Sequence, residues 1–145
     1  MTDTVHDRLS SQRTVLVLDD DRPLRNAITR VLTQRGYLVL SAANGQEARQ
    51  ISAEWPRAID LLLCDLVLPD TAGREVANLL QAHRPGLRVL FTSGYSTLGS
   101  FRQDLERNSW VFLPKPFEVP DLIAAVALAI GEPTSLQGAT AMGGR

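Results

Sequence analysis

Apolar residues fall along this chain in two alternating kinds of run. Short unbroken stretches appear at Thr14-Val15-Leu16-Val17-Leu18, Leu38-Val39-Leu40-Ser41-Ala42, Leu61-Leu62-Leu63-Cys64, Leu87-Arg88-Val89-Leu90-Phe91-Thr92 and Trp110-Val111-Phe112-Leu113. Runs of that length, bounded by turn signals, suit strands buried on both faces of a parallel sheet. Between them the apolar positions take a helical period: Leu24, Ala27, Ile28, Val31 and Leu32; then Ala48, Ile51 and Trp55; then Val76, Leu79 and Leu80 on one inner face; then Leu98, Phe101 and Leu105. A last helix starts at Pro120 and runs to Ile130. Pro23 suits a first helical turn, Gly36 and Gly131 suit helix ends, and Asn44-Gly45 marks a turn and cap. Five strand–helix units with short connections predict an α/β fold: a doubly wound, five-stranded parallel sheet with right-handed crossovers and helices on both faces.

The ends read differently. Residues 1–12 are polar and aperiodic, and the expectation is a flexible lead-in. Residues 132–145 are rich in Gly, Ala and Thr, hold too few large apolar side chains to pack, and are expected to be disordered. Residues 13–131 form one domain, in keeping with a chain of 145 residues. The initiating Met1 and the trailing tail point to a single-domain protein. A net charge of −1 argues against a general grip on nucleic acid. One cysteine fits a reducing compartment, no apolar run approaches a membrane span, and no signal-peptide core is present. The expected setting is cytoplasmic.

In open parallel sheets, sites form beyond the carboxyl ends of the strands. Asp19, Asp20 and Asp21 follow the first strand, Asp65 ends the third, Ser93 follows the fourth and Lys115 the fifth, while the second strand supplies nothing. Two carboxylates ~4 Å apart repel by about 4 kcal/mol at an effective dielectric near 20, so such a cluster calls for a cation. Oxygen-only ligands favour Mg²⁺ over zinc. A carboxylate beside a metal, a lysine and a hydroxyl is equipped to accept a phosphoryl group. Some of these residues have plainer uses. Asp21 is read as a helix cap, Cys64 as a small buried apolar residue, His6 and His83 as surface groups, and Trp55 and Trp110 as packing.

With those motifs in place, the chain resembles the receiver domain of two-component response regulators, the chemotaxis-type single-domain receivers included. Four segments carry the likeness: Val15-Leu16-Val17-Leu18-Asp19-Asp20-Asp21, Asp65-Leu66-Val67-Leu68-Pro69-Asp70-Thr71-Ala72-Gly73, Val89-Leu90-Phe91-Thr92-Ser93-Gly94-Tyr95 and Phe112-Leu113-Pro114-Lys115-Pro116-Phe117. The resemblance implies a flavodoxin-like strand order 2-1-3-4-5, with Asp65 as phosphoacceptor. Asp20 would bind Mg²⁺ directly, Asp19 mainly through water, and the Val67 carbonyl would complete the ligands. Ser93, followed by the small Gly94, would be the switch hydroxyl, and Phe112 the aromatic that turns inward with it. Lys115 would hold phosphoryl oxygens and precede a cis Pro116. The partners implied are a histidine kinase or histidine phosphotransfer protein upstream and a protein target downstream. Membrane and direct nucleic-acid contacts are not implied. The last helix, the fifth strand and the Leu98–Arg107 helix before that strand would form the responding surface, with a phosphorylation-dependent homodimer as one form of contact. The Ser-Gly-Tyr and Phe-Leu-Pro-Lys-Pro-Phe wording is similar to receivers attached to, or partnered with, hybrid histidine kinases.

A receiver module excised from a hybrid histidine kinase is the alternative reading of the same motifs. An aspartyl-nucleophile phosphatase would want a general acid two residues beyond Asp65, where Val67 stands. A cofactor-binding flavodoxin-like module would need a phosphate loop where the three aspartates lie. A receiver that has lost phosphorylation is disfavoured by the intact acid, hydroxyl and lysine set. Val67 and Tyr95 offer little to orient a hydrolytic water, so the acyl phosphate is expected to decay slowly. Measured loss of label should take much longer than seconds and should quicken in Val67→Asn.

Overall fold

The computed structural model describes residues 12–131, and for 95–98 and 100 only the backbone. The lead-in expected over 1–12, apart from Gln12, and the tail over 132–145 lie outside the described residues. The elements alternate as the apolar pattern predicts: β1 (Thr14–Leu18), α1 (Arg22–Gln34), β2 (Leu38–Ala42), α2 (Gly45–Glu54), β3 (Leu61–Asp65), α3 (Gly73–His83), β4 (Arg88–Ser93), α4 (Tyr95–Asn108), β5 (Val111–Pro114) and α5 (Val119–Ile130). The strands are parallel in the order β2-β1-β3-β4-β5, the flavodoxin-like order that the resemblance implies. β4 and β5 each lie one residue further along than their apolar runs suggest. Among the described residues no helix is long and apolar enough to cross a membrane.

Strand alternation splits the core into two layers. Leu16, Leu18, Leu62, Cys64, Val89 and Phe91 pack beneath α2, α3 and α4, against Ala48, Val76, Leu80 and Phe101. Val15, Val17, Leu61, Leu63, Leu90 and Leu113 face α1 and α5, against Ile28, Leu32, Leu122 and Val126. Asp19 and Asp65 continue the second series, two residues beyond Val17 and Leu63. That layer therefore ends in carboxylates on neighbouring strands.

One inward position differs from expectation. Leu79 is 40% exposed, and the buried stripe of α3 is Gly73, Val76, Ala77 and Leu80. A β-carbon at Gly73 would strike the Asp65 carbonyl, so α3 lies too close to β3 there for a larger stripe. Leu79 instead lines a groove of about 420 Å³ between α2 and α3, with Arg49, Ser52, His83 and Arg84. Trp110 is a packing residue as expected. It stacks near Phe101 and meets Phe91 edge-on, and its indole N–H donates to Gln81 Oε1 at 3.2 Å. Trp55 sits just past α2, and its indole donates to the Ala58 carbonyl.

Thr92 pairs in register with Asp65, and its hydroxyl is fully buried without a hydrogen-bond partner. A buried polar group left unsatisfied costs about 1–3 kcal/mol. Thr92→Val should accordingly raise unfolding free energy by about 1 kcal/mol, read from the urea midpoint at unchanged m-value; a lower midpoint would contradict this reading.

Candidate functional site

The first β–α connection builds half of the site. Asp21 caps α1, its carboxylate accepting from the Leu24 N–H at 3.1 Å, as its position before Pro23 suggests. Capping fixes the Asp21 amide as well, and that N–H donates to Asp19 Oδ1 at 2.9 Å. Asp19 is fully buried and Asp20 is exposed. From the next strand, Asp65 Oδ1 accepts from the Val67 N–H at 3.0 Å. Carboxylate oxygens of Asp19, Asp20 and Asp65 all lie within 4.8 Å of one another.

Lys115 closes the cluster from the far side. Its Nζ donates to Asp65 Oδ2 at 2.9 Å and to Asp19 Oδ2 at 3.1 Å. The Lys115 N–H donates to the Ser93 carbonyl at 2.9 Å, which ties the lysine to the end of β4. The Lys115–Pro116 peptide is cis, as the resemblance implies. Ser93 is buried one residue beyond the Asp65–Thr92 register pair, opposite Pro114. Phe112 is half-buried against the layer beneath α4. Val67 is 64% exposed at the mouth of the site. Asp19, Asp20, Asp65 and Lys115 are thus brought into one constellation. Ser93 and Val67 border it, and Phe112 lies one strand further away.

Burial and hydrogen bonding raise the values of two of these groups, Asp19 and Lys115 respectively. Desolvation pushes the Asp19 carboxyl above its ordinary value of 3.8, with Asp65 adding to the rise, while the Asp21 amide and Lys115 oppose it. Burial pulls Lys115 down, but hydrogen bonds to Asp65 and Asp19 outweigh it, so the ammonium lies above its ordinary 10.5. Lys115 can balance only one of three carboxylates. The donor set is oxygen alone: the Cys64 thiol is buried, donates to the Asp65 carbonyl at 3.1 Å, and is pushed well above its ordinary 9.0 by burial, then by the Asp65 and Asp19 charges. Crowded, under-neutralised carboxylates with no sulfur fit a hard divalent cation such as Mg²⁺.

A family model of the response regulator receiver domain matches residues 15–127. The chain belongs to the response regulator receiver family. It is 32% identical over 124 residues to the DNA-binding transcriptional regulator NtrC of Azospirillum brasilense, covering 86% of this chain and 25% of that protein. It is 34% identical over 119 residues to the sensor kinase CckA of Brucella abortus, covering 81% of this chain and 12% of that one. A CheY-like receiver domain protein of Methanospirillum hungatei superposes with a TM-score of 0.74 at 26% identity, covering 83% of this chain and 95% of that one. The receiver therefore spans a quarter or less of these two curated relatives. One relative regulates transcription and the other is a kinase, so what they share with this chain is the two-component receiver module.

Two supporting residues escape sequence reading. Arg25 donates to the Asp19 carbonyl at 2.6 Å and to the Ser41 hydroxyl at 3.1 Å, so β2 steadies the arginine that holds the Asp19 backbone while supplying no group to the cluster itself. Asp70 leaves the β3–α3 connection to bond α2. Neither pair has a spacing signal, because each depends on how separate elements abut.

Because the folded value of Asp19 is raised, ionising it removes stability as pH climbs from 3.8 through that value. Lys115 is raised too, so its pairing stabilises fully below 10.5 and is lost as pH rises through the folded value. In a carbon-13 NMR titration without divalent cation, the Asp19 carboxyl should show a midpoint above 3.8; a lower midpoint would contradict the burial account.

Proposed function

We propose that this receiver accepts a phosphoryl group on Asp65 from a histidine kinase or histidine phosphotransfer protein and signals by protein contact. The observation that carries the proposal is Lys115 Nζ bridging Asp65 and Asp19 beside Asp20. In the transfer, an Asp65 carboxylate oxygen forms a bond to phosphorus as the bond from phosphorus to the donor's imidazole nitrogen breaks, and the imidazole leaves. Lys115 is already held where its ammonium can move from the carboxylate to a phosphoryl oxygen. Ser93 supplies the hydroxyl that follows the phosphoryl group, and Phe112 turns with it. Asp19, Asp20, Asp65 and the Val67 carbonyl would hold Mg²⁺, which when bound neutralises charge on the transferring group. The chain acts on no other substrate in this reading; its chemistry is confined to gaining and losing its own phosphate.

The output surface is α4, β5 and α5. Leu128 is 69% exposed on α5, and Val119 at its start is half exposed, so the outward side of α5 is not alanine alone. An apolar side chain set there suits a downstream protein or a phosphorylation-dependent second copy. The net charge of −1 argues against direct nucleic-acid contact, and the single thiol suits the cytoplasm. The phosphatase reading remains disfavoured, because the residue two beyond Asp65 is an exposed valine that cannot protonate a leaving group.

With Mg²⁺ and a small phosphodonor, wild type should take up label and Asp65→Asn should not; equal labelling would overturn the proposal. Asp20→Ala should weaken Mg²⁺ binding independently of the donor used.

A further inference from the structure

α2 is a short helix held at both ends by residues that flank α3. At its start, Asn44 caps only one amide, its side-chain oxygen accepting from the Glu47 N–H at 2.9 Å. The two amides before it are satisfied from elsewhere in the chain. Gly45 N–H donates to Asp70 Oδ1 at 2.9 Å and Gln46 N–H to Asp70 Oδ2 at 3.0 Å. At the other end, Arg84 follows α3 directly. Its guanidinium donates to the carbonyls of Ser52, Trp55 and Arg57 at 2.8–2.9 Å, and to the Ser52 hydroxyl at 2.9 Å. A carboxylate thus meets the positive end of α2 and a guanidinium the negative end.

The two clamps differ in what else they hold. Arg84 lies at the opposite end of α2 and α3 from the acidic cluster. Asp70 lies in the seven-residue connection from Asp65 to Gly73, and that connection also carries Val67. Its inner part is pinned near the sheet: Leu66 N–H donates to the Thr92 carbonyl, Val67 N–H to Asp65, and Gly73 N–H to the Leu66 carbonyl. Its outer part turns at Leu68–Thr71 and rests on α2. The fit is close, since a β-carbon added at Gly45 would lie 2.6 Å from Thr71 Cγ2 and 3.4 Å from Asp70 Oδ1. Only glycine at the first residue of α2 lets the connection approach this far. The Gly45 N–H holds the Asp70 carboxyl below its ordinary 3.8 against desolvation, helped by the Gln46 N–H and the Arg49 charge, so Asp70 is ionised and acceptor-only at neutral pH.

We infer that Asp70 is a positioning residue for the cation site: by bonding the start of α2 it fixes the β3–α3 connection, and with it the Val67 backbone beside Asp65. The inference rests on the metal assignment made under the proposed function. It makes Asp70 an outer support of the site, with no contact to the cation itself. Outer supports of metal ligands set affinity by holding the ligands in place before the ion arrives.

The test is calorimetric titration of the whole chain with MgCl₂, with thermal unfolding measured in parallel. Asp70→Ala should weaken Mg²⁺ binding on the order of tenfold, the size usual for outer-shell partners. Asp70→Asn, which keeps one acceptor oxygen, should fall between it and wild type. Arg84→Ala frees the same helix at its other end and should lower the unfolding temperature while leaving the Mg²⁺ dissociation constant within about twofold of wild type. Equal weakening by Arg84→Ala and Asp70→Ala would mean general loosening and would overturn the inference. So would an unchanged dissociation constant in Asp70→Ala while Asp20→Ala loses binding, a result that leaves the metal assignment standing. Should Asp20→Ala bind as wild type does, the metal assignment falls first and this inference with it.

Discussion

One ammonium between two buried carboxylates is the contact on which the rest of this structure turns. Asp19 and Asp65 end adjacent strands on the same face of the sheet, where burying two carboxylates side by side is costly without a partner of opposite charge. Lys115 supplies that partner from β5, two strands from Asp65 and three from Asp19. The order β2-β1-β3-β4-β5 makes this reach workable. It sets β1 and β3 side by side at the centre, and it lets β5 send a long side chain over the end of β4. Lys115 can balance only one of the three clustered carboxylates, the exposed Asp20 included. That residual charge suits the cluster to a divalent cation more than to a closed structural ion pair.

Much of this was legible in the sequence because parallel strands announce themselves twice, once as apolar runs and once by where those runs stop. Leu61-Leu62-Leu63-Cys64 stopping at Asp65, and Thr14 to Leu18 stopping at Asp19, already put carboxylates at strand ends. Asp21 was legible as a cap from its place before Pro23. Leu79 was not legible as an outward residue. Spacing from Val76 allows either Ala77 or Leu79 inside, and hydrophobic size favours leucine. The deciding fact is tertiary: α3 presses on the Asp65 carbonyl at Gly73, and the small Ala77 suits that approach. Arg25, Asp70 and Arg84 were illegible for a related reason. Each bonds backbone groups of another segment, and backbone groups carry no sequence signature.

The two layers of the core also divide the labour. The layer facing α1 and α5 ends in the acidic cluster, while the layer facing α2, α3 and α4 holds the aromatic group of Phe91, Phe101 and Trp110, with Phe112 at its edge. Trp110 also reaches α3 through Gln81, whose amide in turn donates to the Leu87 carbonyl. A change at the end of β4 therefore meets ring packing on one side of the sheet and charge on the other. Edge-to-face rings have preferred geometries, so this packing favours discrete arrangements over a gradual drift.

Cys64 has a practical side. It is the chain's one thiol, precedes Asp65 on β3 with its side chain on the opposite face, has no exposed surface and is held protonated by burial and by the neighbouring carboxylates. An alkylating reagent can reach it only when β3 and α3 part. The rate of its modification is thus a clock for opening of the central sheet, built into the unaltered protein and free of any competing cysteine.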